Sequence, residues 1–283
     1  MIQVKNFSFC YQGGEQAALE DLNFTIEAGE FVGVIGRSGA GKTTLTHAIN
    51  GMVPHYFRGD FYGSVEITAP DGTVYDTVET KPDVLAQIVG SVLQDTDAQM
   101  VTSMVADELR YGLEGNGLAE EEIERRVAQA LEDVGIAELR DREISSLSGG
   151  QRQKVAIAAI LALRPQILIL DEPTGELDPQ SSRNVYELLR KLNEQGVTIL
   201  VVEQKIMQLC EFCKRLIVLD QGKVCFDGAT KDTLSHSELL ERVGVHVPRI
   251  ISLYKALAER GVRCGQPPCS LEEAETMVRE ALS

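Results

Sequence analysis

The chain has 283 residues, 43% of them hydrophobic and 25% charged, and 43 acidic side chains against 27 basic ones leave a formal charge of −16. That length suits one large domain, or one domain with an appendage, and the acidity argues against nucleic acid or anionic lipid headgroups as partners. The strongest apolar runs, residues 167–170 and 198–202, fall far short of the roughly 20 residues that cross a bilayer, so no membrane span is expected.

The N-terminus lacks a basic start, an apolar stretch and a small-residue cleavage site, which predicts a cytosolic chain. Its six cysteines (Cys10, Cys210, Cys213, Cys225, Cys264, Cys269) are then expected to be reduced thiols. Residues 1 to about 35 alternate apolar and polar positions and end in a β-rich run that stops at Gly36. The residues after Lys42 read as a helix with Gly51 as its stop. Short strands around Pro70-Asp71-Gly72 predict a small antiparallel arm over residues 63–78.

From about 97 to 164 the period becomes helical, most clearly at Ile123, Val127, Leu131 and Val134, which marks a helical insertion. Two apolar strands follow, at 167–170 and 198–202, joined by a helix that Asp178 caps and Pro179 opens. This is a βαβ unit, hence a parallel sheet. After about 230 the chain reads as a separate helical appendage: Pro248 starts one helix, and Ser270 with Glu273 forms a capping box before another.

Gly36-Arg37-Ser38-Gly39-Ala40-Gly41-Lys42-Thr43 matches G-x-x-x-x-G-K-[ST], a phosphate-binding loop, between a predicted strand and a predicted helix that continues with Thr44. Its glycines let backbone N–H groups converge on phosphate oxygens, Lys42 adds charge at the β and γ phosphates, and the Thr43 hydroxyl suits Mg²⁺. Asp171 and Glu172 lie at the C-terminal end of an apolar strand, where open α/β sheets place their ligand groups. Asp171 is suited to hold Mg²⁺ through a water, and Glu172 to orient and deprotonate a water that attacks the γ-phosphate. Leu147-Ser148-Gly149-Gly150-Gln151, followed by a helix, is a third element. Cys210 and Cys213 share one helical stripe with Ile206 and Leu209, so they read as small core hydrophobes, and no metal beyond Mg²⁺ is expected.

With these three elements the chain resembles the ABC-type ATPases over about residues 1–230. The resemblance implies an α/β P-loop NTPase fold: a RecA-like core with an antiparallel β arm and an inserted helical subdomain (about 97–164); the helical C-terminal extension from 231 to 283, read from its own period, suits a dimer contact. It implies ATP and Mg²⁺ as cofactors and a head-to-tail dimer, in which Ser148, Gly149, Gly150 and Gln151, with Asp178, meet the nucleotide of the opposite subunit. Gln94 matches the glutamine that contacts Mg²⁺ and water, and Tyr11 the aromatic that stacks on adenine. One departure stands out: Gln204 takes the place of the family's histidine at the γ-phosphate, and an amide donates there but carries no proton.

Residues 50–59, the segment from Gln94 to Met100 and the helical extension resemble, more narrowly, the ATPases of energy-coupling-factor (ECF) importers, the CbiO-like group. That implies a second ABC ATPase, a transmembrane coupling subunit and a small substrate-binding membrane protein, at the cytoplasmic face of the membrane, for uptake of a small molecule or metal ion. Two alternatives stay open: a catalytically weakened partner in a heterodimer, or a soluble ABC ATPase that acts on a protein scaffold.

Overall fold

The structure, a computed structural model, describes residues 1–204, 206–262 and 264–282. Among the described residues, ten strands form two sheets. β1 (Ile2–Tyr11), β2 (Leu19–Ile26), β4 (Gly59–Thr68) and β5 (Val74–Asp76) make a four-stranded antiparallel sheet in the order β2-β1-β4-β5. The arm is therefore larger than the turn signal predicts. β4 begins at Gly59 and follows β1 along its length across one register shift, which draws the run Asp60-Phe61-Tyr62 into strand although it lacks alternation.

The second sheet has the order β10-β9-β3-β8-β7-β6, from β3 (Phe31–Ile35), β6 (Val89–Val92), β7 (Ile167–Asp171), β8 (Thr198–Val202), β9 (Arg215–Asp220) and β10 (Lys223–Ala229). The first five of these run parallel, and β10 closes the edge antiparallel to β9. β3, β7 and β8 are buried along their whole length, as their uninterrupted apolar runs require of strands covered on both faces.

The period of two splits this sheet between two cores. Val32, Val34, Leu200 and Val202 point to the antiparallel sheet and to Leu45 and Ile49 of the helix Lys42–Ile49. Phe31, Ile35, Leu168 and Leu170 point to the opposite core, formed by helices Val105–Glu114, Glu120–Val134, Gly149–Ala162 and Pro179–Glu194. The predicted stripe Ile206, Leu209, Cys210 and Cys213 is buried there. The residues after β10 supply Leu234, Leu240, Val243, Ile250 and Ile251 to the same core. Helix Leu271–Leu282 begins with the predicted Ser270 cap, but the Glu273 carboxylate accepts from the N–H of Cys269 rather than that of Ser270. Among the described residues no helix is long and apolar enough to cross a membrane.

Candidate nucleotide site

Four parallel strands deliver the chemistry at one end of the sheet. β3 ends at Ile35 before the glycine loop, β6 ends two residues before Gln94, β7 ends on Asp171, and β8 ends two residues before Gln204. In an open parallel sheet this end, where neighbouring strands leave in different directions, is where ligands bind.

The loop from Gly36 to Lys42 is held from behind by the turn between β9 and β10. A Cβ on Gly36 would stand 2.3 Å from the carbonyl oxygen of Leu219, so only glycine fits there. The N–H of Gly222 donates to the Ala40 carbonyl (3.0 Å), and the Arg37 guanidinium pairs with Asp220 (3.0 Å). Gly39 and Gly41 have φ of +77° and +102°, and Ser38 is exposed at the loop's crest. Lys42 is buried, and its Nζ donates to the carbonyls of Gly36 (2.8 Å) and Arg37 (3.1 Å). Burial lowers its pKa, against the opposing charges of Glu172, Asp171 and Glu203.

Asp171 is 2% exposed, and among the described residues neither carboxylate oxygen has a partner with good hydrogen-bond geometry, although the Thr43 hydroxyl is close by. Burial raises its pKa, Glu172 adds to the rise, and the Thr43 hydroxyl and Lys42 oppose it. Two orphaned carboxylate oxygens beside a threonine hydroxyl are a hard-oxygen donor set that fits Mg²⁺ and is costly without a cation. Gln94 is the third candidate for that ion.

Glu172 has φ +51°, a strained backbone for a residue with a Cβ, and its N–H donates to the Val202 carbonyl (2.8 Å). Its carboxylate is held from both sides: Gln94 Nε2 donates to Oε2 (3.2 Å) and Gln204 Nε2 donates to Oε1 (2.7 Å). The structure thus brings Gln94, Glu172 and Gln204 into one cluster. Tyr11 joins the loop from the antiparallel sheet, its hydroxyl 3.1 Å from the Thr44 hydroxyl and its ring edge-on to Phe9 and Phe57.

Ser148, Gly149, Gly150 and Gln151 lie elsewhere. Ser148 caps the helix Gly149–Ala162 by accepting from the Gln151 N–H (3.3 Å), while Gln151 Oε1 accepts from the Ser148 N–H (2.9 Å). Asp178 caps the helix Pro179–Glu194 by accepting from Gln180 and Ser181 (both 3.0 Å). Together these residues line one surface cavity, separate from the loop at Lys42.

Several supporting residues carry weak sequence signals. Glu203 is 3% exposed, accepts from the Thr174 N–H and hydroxyl (2.6 Å to the hydroxyl), and has a pKa raised by burial; its only sign in the sequence is a charge at the end of an apolar strand. Glu108 shapes the segment after Gln94 by accepting from the N–H groups of Val101 and Thr102. Arg152 ties Leu147 to that segment through the Leu147 carbonyl (2.8 Å) and Asp97 (2.5 Å). Nothing local marks the Leu219–Gly222 turn as a seat for a loop some 180 residues earlier.

Comparison with known proteins agrees with this geometry. Residues 19–175 match the family described as ABC transporter. A Pyrococcus abyssi relative is 37% identical over 263 residues, 93% of this chain and 92% of that protein. The energy-coupling factor transporter ATP-binding protein EcfA1 of Caldanaerobacter subterraneus is 35% identical over 277 residues, 96% of each chain. Relatives from Methanosarcina and Saccharolobus are longer, and the chain spans 41–46% of their length. Among solved structures, CbiO1 of Clostridium perfringens, part of the ABC transporter complex CbiONQ, has a TM-score of 0.73 at 31% identity and covers 90% of this chain and 98% of its own. The dimeric ATP-binding cassette MJ0796, bound to ADP and Pi, has a TM-score of 0.71 at 30% identity over 81% of this chain and 99% of that one. The sheet, the phosphate loop and these matches make the chain a member of the ABC transporter family of ATPases, of the ECF and CbiO-like kind.

Proposed function

We propose that the chain is the ATP-hydrolysing subunit of an ECF-type importer, in which two ATPases close head to tail on MgATP and drive membrane partners that take up a small molecule or metal ion. The observation that carries this reading is Glu172, held by Gln94 and Gln204 at the strand ends that frame the phosphate loop.

The chemistry is an in-line attack of water on the γ-phosphorus. The water oxygen forms the new P–O bond, the bond to the bridging β,γ oxygen breaks, ADP leaves, and Glu172 accepts the water's proton. Lys42 exchanges its two loop carbonyls for phosphate oxygens, and the N–H groups of the loop meet the same phosphates. Asp171 and Thr43, with Gln94, would hold Mg²⁺, which when bound would supply positive charge to the phosphate oxygens. Tyr11 stacks on adenine. Ser148 to Gln151 and Asp178 complete the opposite subunit's nucleotide, a role that the dimeric relative bound to ADP and Pi supports.

The importer assignment draws on EcfA1 and CbiO1, whose names place those proteins in transporters. The residues from 231 onward serve as the dimer contact, and the chain works at the cytoplasmic face through its membrane partners. A second reading, a weakened own site within a heterodimer, is favoured by Gln204, because an amide bonded to Glu172 cannot relay a proton as a histidine does.

Purification of the tagged full chain in mild detergent from cells that make it, followed by mass spectrometry, tests the assignment. A second ATPase with one large and one small membrane protein is expected. Soluble scaffold proteins with no membrane subunit would overturn the transport reading.

A further inference from the structure

Glu176 stands between Gly175 and Leu177 in the loop that leads into helix Pro179–Glu194. Its carboxylate lies against the start of the Ser148-capped helix: a Cβ on Gly149 would be 2.0 Å from Glu176 Oε2, and one on Gly150 would be 3.1 Å from Leu177 Cδ2. A side chain at Gly149 would therefore have to displace an exposed, flexible carboxylate of the same subunit. The two segments share a cavity of about 400 Å³ whose lining includes Ser148, Gly149, Lys154, Glu176 and Asp178.

The polar groups of this cavity divide into spent and free. Asp178 is committed to the N–H groups of Gln180 and Ser181, and the Ser148 hydroxyl to that of Gln151. The N–H groups of Gly149 and Gly150, in the helix's first turn, have no acceptor within the helix. That positive end favours an anion, and the Glu176 carboxylate lies against Gly149. A triphosphate brought to the same end meets the carboxylate already there, and two negative charges in contact repel.

We infer that Glu176 sets how tightly this face takes the partner subunit's γ-phosphate: its carboxylate stands against the helix N-terminus in the open chain and swings away on closure. This rests on the head-to-tail reading proposed above. Neutralising Glu176 therefore favours closure while leaving nucleotide binding at Lys42 unchanged.

The test follows ATP-dependent association of the full chain by sedimentation velocity in an E172Q background, adding the ATPase that co-purifies with it where the chain alone stays monomeric. E176Q and E176A should lower the half-saturating ATP concentration by about three- to tenfold at low salt. The shift should shrink at high ionic strength, which a purely steric role would not produce. Affinity of the dilute monomer for a fluorescent ATP analogue should stay the same. An unchanged or raised half-saturation in E176Q overturns the role of Glu176, provided that Ser148→Arg abolishes association. A Ser148→Arg variant that still associates, or a parent that never does at saturating ATP, contradicts the head-to-tail reading itself.

Discussion

The two regions proposed to face nucleotide are built in opposite ways. The region around Lys42 is set into the sheet: Lys42, Asp171 and Glu203 are each less than 10% exposed, Glu172 is clamped from both sides, and the glycine loop rests on the β9–β10 turn. The region around Ser148 lies at the surface, where Ser148, Glu176 and Asp178 are exposed and the contacts are helix caps and a carboxylate against a glycine. The first has the build that the proposed reaction needs, with charges desolvated in advance. The second is cheap to rearrange, as a surface must be if it is to meet and release a partner in each cycle.

The largest break in this comparison comes from Glu172→Gln. Loss of a general base costs about 10²- to 10⁴-fold in turnover, and steady-state phosphate release should show that loss while equilibrium ATP binding persists. Lys42→Ala removes a charged donor from the phosphates and should weaken nucleotide binding about tenfold to a hundredfold, read by fluorescence titration. Gln204→His sharpens the question of the second reading: a rise in turnover of about fivefold is expected if the amide limits the site, and no rise would mean that glutamine suffices.

The smallest effect concerns stability. Burial holds the folded-state pKa of Asp171 above its ordinary value of 3.8, so the folded chain binds that proton more tightly than the unfolded chain does. The sign follows: stability falls as pH rises through the window between the ordinary value and the raised one, and at neutral pH the ionised carboxylate is a net cost. Asp171→Asn should therefore raise the melting temperature by about 2–4 °C in metal-free buffer, measured by calorimetry, while MgATP hydrolysis falls.

Legibility in the sequence followed the same division. The glycine loop, the strand end at Asp171 and Glu172 and the caps at Ser148 and Asp178 are local patterns, in which the residues that signal an element also build it. The clamp on Glu172 was half visible: Gln94 and Gln204 stood out as positions, but their convergence on one carboxylate depends on strand order across β6, β7 and β8. The Leu219–Gly222 seat and the Glu176 contact with Gly149 are long-range packing, which no window of sequence contains. The early start of β4 shows the same cause, since strand pairing with β1 overrode a weak local pattern.

Hydrogen exchange on the full-length E172Q chain, with and without MgATP and over a range of protein concentrations, tests most directly whether one region binds alone and the other only in trans. Residues 36–43 should gain protection at every concentration, whereas residues 148–153 and 175–178 should gain it only as the chain, or the ATPase that co-purifies with it, becomes concentrated enough to pair. Protection of both regions together in the dilute monomer, or no protection of the second region at any concentration, would contradict the account.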